Sequence, residues 1–350
     1  MSNSYSIAKL SRLFKVSNSG NQVTVDESGN PSVQVITTPG IKNDILNGQF
    51  RVAQTGTSFV SPVDSSYDLD GWIFQYIAAG STATIAQSVG SYTGKLCRTV
   101  TVTAALASPA AADYVIQATH IEGYECVKYI DNTFTVGFNV KSSVPGIHCL
   151  AIYNGSTYFI KEYTINLMDT WEYKSITVTG GTSQVSSSTN GIGLTLFFIN
   201  AMGSDKNSGV DNTWNAFPNM CTANQVNDFA NIGNVFALED VTLNPGTVVA
   251  VDDATFEKDL RRCKRYARQY TLHSIGQAIT SGFTSSSNLE FQMRAAPTLA
   301  GGSTFAGTSG VNGTPAVIYS TADGTGIYNP DDNWTVSNNV RFTGLLEARL

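Results

Sequence analysis

The chain has 350 residues, a net charge of -6, and 14 % charged against 42 % hydrophobic residues, whereas an average soluble domain carries about 25 % charged residues. That length leaves room for two domains and an appendage; the scarcity of charge predicts a surface of Ser, Thr, Asn and Gly, and the acidic balance argues against a nucleic-acid partner. No run of eighteen apolar residues is present to insert in a membrane, and Met1 to Leu13 lacks the apolar core of a secretory signal, so synthesis and folding in a cytosol are expected.

Residues 1–42 hold a short apolar segment (Ile7, Leu10, Leu13, Phe14) and then Val16, Val23, Val25, Val33 and Val35, interrupted by Gly20, Gly29 and Pro31. This segment is too short and broken to bury a core, which predicts an anchor or oligomerisation segment. Residues 43–251 read as short strands separated by turns, the pattern of a two-sheet sandwich. Strands are predicted at Thr82–Gln87, Leu96–Val102, Tyr114–Thr119, Phe134–Lys141, His148–Tyr153, Ser175–Thr179, Gly193–Ile199 and Val235–Leu243. Asn154 and Gly155 predict a tight hairpin, because a two-residue turn needs positive φ and this pair tolerates it. Two loops are predicted, Ala104–Ala112 and the longer Gly203–Asn231, which carries Trp214, Phe217 and Cys221.

Asp252–Tyr270 is the one run with helical periodicity: Phe256, Leu260, Cys263, Ala267 and Tyr270 fall on one stripe, and Asp252 and Asp253 are placed to cap it. It predicts a connecting amphipathic helix over 252–271. Its six basic residues suit a packed seam or a solvated face, which makes Phe256, Leu260, Cys263 and Tyr270 candidates for an oligomer interface. Residues 272–350 return to β-like alternation broken by Gly-rich turns, predicting a small antiparallel β-domain that oligomerisation would stabilise.

The strings NDILNGQFRVAQTGTSF (Asn43–Phe59), YDLDGW (Tyr67–Trp72), FTVGFNVKSS (Phe134–Ser143), DTWEYKSITV (Asp169–Val178), ALEDVTLNPGT (Ala237–Thr247), LRRCKRYARQY (Leu260–Tyr270) and MRAAPT (Met293–Thr298) occur in that order. Together they resemble a jelly-roll module, similar to carbohydrate-binding modules, of phage and prophage tail-fibre-type proteins. The chain departs from that pattern at Ala267, where a second aromatic is usual, and at Gly71, where Arg is frequent. The resemblance implies a mainly all-β chain: a jelly-roll β-sandwich, one amphipathic helix and a small C-terminal antiparallel β-domain. It implies a structural virion protein made in the host cytoplasm, a homotrimer that binds host surface polysaccharide and meets other virion proteins through its N-terminal segment. The alternatives are a capsid decoration or head-fibre protein and, last, a polysaccharide depolymerase.

Little points to catalysis. His120, His148 and His273 lack metal spacing, and no nucleophile-elbow or phosphate-loop motif occurs; no enzyme activity, cofactor or metal is expected. Asp68 and Asp70 are the most suggestive close pair of carboxylates, read as solvated loop residues with calcium binding or acid-base work as the alternative. The five cysteines, Cys97, Cys126, Cys149, Cys221 and Cys263, are odd in number without CxxC spacing and read as buried free thiols. Glycan binding needs an exposed aromatic face beside amides or carboxylates. Trp214, near Asn212 and Asn215, is the first candidate, followed by Tyr153 and Tyr158 at the hairpin and Trp334 near Asp331 and Asp332. Trp72 and Trp171, inside family-like strand motifs, read as core.

Overall fold

A computed structural model describes residues 22–25, 31–34, 43–78, 80–91, 94–247, 255–275, 283–288, 293–299, 304–307, 316–321, 324–329 and 339–350. The chain forms two compact units, Met1–Ile41 and Lys42–Leu350. In the first, β1 (Gln22–Val25) pairs antiparallel with β2 (Pro31–Gln34), Val23 opposite Val33. Pro31 opens β2, where a missing N–H is tolerated.

The second unit is built on a sandwich of thirteen strands: β3 (Ser58–Val60), β4 (Ser66–Tyr67), β5 (Trp72–Ile77), β6 (Thr82–Val89), β7 (Leu96–Ala104), β8 (Tyr114–Glu122), β9 (Phe134–Ser142), β10 (Gly146–Tyr153), β11 (Thr157–Ile165), β12 (Glu172–Val178), β13 (Ile192–Met202), β14 (Thr213–Ala216) and β15 (Val235–Pro245). They form a seven-stranded sheet in the order β14-β11-β10-β13-β8-β5-β4 and a six-stranded sheet in the order β12-β9-β15-β7-β6-β3. Every pairing is antiparallel, and non-consecutive neighbours such as β15 between β9 and β7 mark the crossovers of a jelly roll. All eight strands expected from alternation are present.

Period-two alternation decides what lies between the sheets. In β9, Phe134, Val136, Phe138 and Val140 face inward and meet Leu150 and Ile152 of β10 and Leu194, Leu196 and Phe198 of β13. A second inner cluster joins Phe74, Val115 and Ala201 to Ile85, Val100 and Val102. Trp72 is fully buried against Phe50, ring centroids 4.8 Å apart, which explains the NGQF and DGW strings. Asn47 Nδ2 donates to the Val52 and Asp70 carbonyls and its Oδ1 accepts from the Val52 amide. A Cβ at Gly48 would overlap the Val241 carbonyl oxygen, so glycine is required there.

Two local expectations shift. Tyr153 pairs with Tyr158, and the Asn154 amide bonds the Thr157 carbonyl, so the hairpin turn is Gly155–Ser156, with positive φ at Gly155. Asn154 instead turns its side chain inward, accepting from the Ser156 and Thr157 amides and donating to Thr182 Oγ1. The Gly203–Asn231 stretch is no plain loop: it contributes the edge strand β14 against β11 and a 3-10 turn at Asp228–Ala230. Alternation is too short over four residues to announce such a strand.

A relay of buried polar groups runs through the interior. Arg98 donates to both Asp68 oxygens (2.7 and 2.5 Å) and to Gln117. Gln117 Nε2 donates to Asn200, and Asn200 Nδ2 to Asp228. Asp228 Oδ1 also accepts from Ser142 Oγ (2.7 Å) and lies 3.1 Å from His148 Nε2. Asp68 and Asp70 are therefore not solvated loop carboxylates: both are buried, Asp68 on Arg98, and Asp70 accepting from the Gln54 amide and Nε2.

After the sandwich come α1 (Phe256–Lys264), β16 (Ala267–Ile275), β17 (Phe283–Asn288), β18 (Thr298–Leu299), β19 (Thr304–Gly307), β20 (Ala316–Thr321), β21 (Gly324–Asn329) and β22 (Asn339–Glu347). β22 pairs with β16, β18 and β19, and β21 with β17 and β20, all antiparallel. The helix is shorter than its periodicity predicts. Thr255 caps it, its Oγ1 accepting from the Lys258 amide, while Asp252 and Asp253 lie outside the described residues. It stops at Lys264 because Ala267–Ile275 gains a full antiparallel ladder with Asn339–Glu347, a tertiary pairing that overrides local helical preference.

Two outcomes follow. Replacing Arg98 by Met strands the Asp68 carboxylate in the core and is expected to lower stability by about 3–5 kcal/mol in urea unfolding; a loss below about 1 kcal/mol would show the pair to be dispensable. His148 is pulled down by burial, but the charge and hydrogen bond of Asp228, with the Gly146 carbonyl, together raise its pKa above the usual value. A raised folded pKa means stability that is full below about pH 6.5 and is lost as pH rises through the folded value. Unfolding free energy should therefore decline over that window, and His148→Gln, which keeps a donor toward Asp228, should remove the decline.

Candidate functional site

The seven-stranded sheet is apolar on both faces. Alternation that sends Leu150 and Ile152 inward sends Cys149, Ala151 and Tyr153 outward, and the outer cluster gathers Ile116, Ala118, Tyr158, Ile160, Phe197 and Ile199. An outer sheet face normally alternates to polar residues; here the Gly203–Asn231 segment lies over part of it and adds Met220 and Cys221. The segment is held by backbone bonds from the Met220 amide to the Lys206 carbonyl and from the Gly209 amide to the Cys221 carbonyl.

Beside this covered part stands an aromatic group. The Tyr153 and Tyr158 rings are 4.7 Å apart, Tyr158 stacks on Phe217 at 6.3 Å with 28° between planes, and Phe197 lies 6.1 Å from Tyr158. Tyr158 is buried, Tyr153 and Tyr114 are half-buried, and Phe217 is 68 % exposed. Lys206 Nζ lies 5.4 Å from the Tyr114 ring centroid and donates to the Ala112 carbonyl. Burial, with the neighbouring Tyr153 and Tyr114, pushes the Tyr158 hydroxyl up to about 12; burial and Asp64 raise that of Tyr114. Both phenols are protonated at neutral pH and able to donate and accept. Farther along β11, Glu162 accepts from Thr222 Oγ1 and from Asn224 Nδ2, which places a carboxylate and an amide on this face.

Of the residues picked for sugar contact, Tyr153 and Tyr158 lie in this group and Trp214 does not. Trp214 belongs to β14, its ring packs 5.6 Å from Phe159 and its Nε1 donates to the Gly181 carbonyl. A half-buried indole with its one donor used closes the sandwich edge. Trp334 lies outside the described residues. Trp72 is core as expected, whereas Trp171 is half-buried with Lys141 Nζ 5.3 Å from its ring centroid. Phe217 and Tyr114 are the residues the sequence reading passed over. The apolar run Leu196–Ile199 in β13 was the signal that both faces of this sheet are covered.

The interface candidates divide as well. Cys263 is buried and half-buried Leu260 packs with it against Leu46 and Val52 of the same chain, so these two face the jelly roll. Phe256 is 52 % exposed. Tyr270 sits in β16 opposite Gly344. Polar contacts of both signs tie the helix region to the sandwich: Asp259 pairs with Arg51 at 2.8 Å, Arg262 reaches the Asp44 carbonyl, and Arg265 and Tyr266 both bond Glu122 at 2.7 Å. Arg294 of the MRAAPT string donates to the carbonyls of Ala348, Arg349 and Asn190. Where these parts meet there is a cavity of roughly 20 Å³, lined by Tyr67, His120, Tyr266 and Arg349 among others, room for about one water. Burial lowers His120 to about 4, so it is neutral at pH 7, and its Nδ1 lies 2.9 Å from Thr195 Oγ1.

Among the described residues, no group of three or more His, Cys, Asp or Glu is placed to hold a metal, and no helix is long and apolar enough to cross a membrane. Among the described residues the fold is a mainly β jelly-roll sandwich with the helix Phe256–Lys264, a single helical turn at Gly123–Cys126 and a small C-terminal sheet region. No protein-family profile matches the sequence, and no curated protein matches it. Solved structures to which the chain is similar include one described as CBM4, with 17 % identity over 58 % of this chain and 99 % of that one at a TM-score of 0.31. A putative sugar binding protein from Bacteroides thetaiotaomicron shows 13 % identity over 59 % of this chain and 100 % of that one, TM-score 0.35. The enzymatically active domain of tailspike protein 4 of bacteriophage CBA120 shows 11 % identity over 58 % of this chain and 21 % of that one, TM-score 0.31. The fold assignment rests on strand order and register, to which likeness at this level adds nothing.

Arg294→Ala removes three charge-assisted bonds to the chain's last residues and to Asn190. The expected result is faster amide hydrogen exchange at residues 345–350 and a local loss of about 2 kcal/mol, with exchange in β9 and β13 unchanged. Equal acceleration everywhere would mean that Arg294 supports the whole unit and not this contact.

Proposed function

We propose that the chain is a structural, non-enzymatic subunit of a bacteriophage particle, a tail fibre or similar appendage, that holds host-surface glycans on the outer face of its seven-stranded sheet. Phe217 carries the glycan reading: a large ring, 68 % exposed, stacked on Tyr158 beside Tyr153 and Tyr114. Aromatic faces take the apolar face of a sugar ring, and protonated phenols serve its hydroxyls. The ordered strings from Asn43 to Thr298, which resemble tail-fibre-type modules, support the particle. In this reading the N-terminal unit meets other virion proteins and the chain works as a homotrimer, in which three weak sites gain avidity through effective concentration.

The test is binding of the full chain to host cells and to a glycan array, with its mass measured by light scattering. Phe217→Ala and Tyr153→Ala are each expected to weaken binding by about tenfold or more with the trimer of 37.4 kDa chains intact. Unchanged binding in both variants would remove this face as the site; a monomeric mass would remove the avidity argument.

A further inference from the structure

Cys149 and Cys221 come from distant parts of the chain and meet beneath the segment that covers the outer sheet face. Cys149 lies on β10 and Cys221 follows β14; both are fully buried in the same apolar cluster, and Cys149 Sγ lies 3.6 Å from Oγ1 of Thr222, the residue after Cys221. The surroundings fix both backbones. The Cys149 amide donates to Gln225 Oε1 at 2.7 Å, Cys149 Sγ is 3.6 Å from Thr222 Oγ1, and the Cys221 carbonyl accepts from the Gly209 amide at 2.9 Å. The other three thiols lie elsewhere: Cys97 beside Thr99, Cys126 beside the Ile121 carbonyl, and Cys263 against Leu46 and Val52.

We propose that Cys149 and Cys221 are an oxidation site, closed by a small peroxide into a disulfide that fastens the Gly203–Asn231 segment to the sheet. Hydrogen peroxide is the oxidant, small enough to enter during brief local opening. The Cys149 thiolate attacks one peroxide oxygen, the O–O bond breaks, and Cys149 becomes a sulfenic acid while hydroxide leaves and takes up a proton. The Cys221 sulfur then attacks Cys149 Sγ, the S–O bond breaks, and a second water leaves with the Cys221 proton. In balance, two thiols and one peroxide give one disulfide and two waters. The order of attack has a physical basis. Thr222 Oγ1, 3.6 Å from Cys149 Sγ, is placed to donate to a Cys149 thiolate, which makes Cys149 the attacking sulfur; the neighbouring Cys221 thiol and the Thr222 amide and hydroxyl lower the Cys149 pKa against the opposing effect of burial. The cross-link closes a long loop and fixes the segment that carries Phe217, whether or not that face binds glycans.

The experiment treats the folded full chain with hydrogen peroxide, alkylates it in denaturant and maps the peptides by mass. The expected product joins the Cys149 and Cys221 peptides, lighter by two hydrogens than their sum, with Cys97, Cys126 and Cys263 alkylated. The unfolding midpoint should rise by about 5 °C or more and return with dithiothreitol. Recovery of Cys149 and Cys221 both alkylated, or of Cys149 as a sulfinic acid, would overturn the proposal. Cys221→Ser supplies an independent check: Cys149 should then be trapped by dimedone as a sulfenic acid, and failure to react would show that it is not the attacking thiol.

Discussion

The bonds between Arg98 and Asp68 constrain the whole sandwich. Arg98 is on β7 of the six-stranded sheet, Asp68 follows β4 of the seven-stranded sheet, and both side chains are fully buried. A charge in that position is tolerable only with its partner in place. The relay onward through Gln117, Asn200 and Asp228 to Ser142 and His148 touches β8, β13, β10 and, back in the other sheet, β9. A slip of one residue in any of these strands would turn a relay member out of the interior and leave its neighbour unsatisfied. The apolar clusters on either side supply most of the burial, and the same slip would turn their inward residues outward.

The same economy accounts for several of the ordered strings without giving them a role in binding. Asn47 and Gly48 shape the bend that presents Phe50 to Trp72, and Asp70 uses Gln54 to reach the Ala267 carbonyl, where β16 begins. Arg265 and Tyr266 share Glu122, and Arg294 gathers the last carbonyls of the chain. Motifs far apart in sequence are thus two sides of one contact between sandwich, helix and C-terminal strand. A helix at the subunit seam was a reasonable expectation from its basic stripe, yet the apolar side of that stripe, Leu260 and Cys263, has its partners in Leu46 and Val52.

What could be read from residues alone follows from how local the cause is. Strand positions were legible because alternation is a local property, and the covered tryptophan was legible because Trp72 sits within a strand string. The end of the helix was not, because the competing ladder comes from Asn339–Glu347, some seventy residues away along the chain. β14 was hidden for a similar reason: four residues form a strand only because β11 has a free edge. For the candidate site, Tyr153 and Tyr158 were visible from the hairpin, while polar neighbours in sequence say nothing of Phe159 and Gly181, which meet the ring and the N–H of Trp214.

The outer sheet face then raises a question of balance. A jelly roll needs only one face of each sheet buried, yet here Ala151, Ile160 and Ile199 are buried on the far side too. Covering them required the Gly203–Asn231 segment, whose ordering costs conformational entropy that Met220 and Cys221 offset by burial. Phe217 is the aromatic of that segment not drawn into the cover: its ring leans on Tyr158 and still meets solvent. An exposed aromatic adds little to stability compared with a buried one, so the constraint that orders the cover does not explain the ring at its edge. A contact made outside the chain, with a sugar or another apolar surface, would bury that ring and stabilise its position.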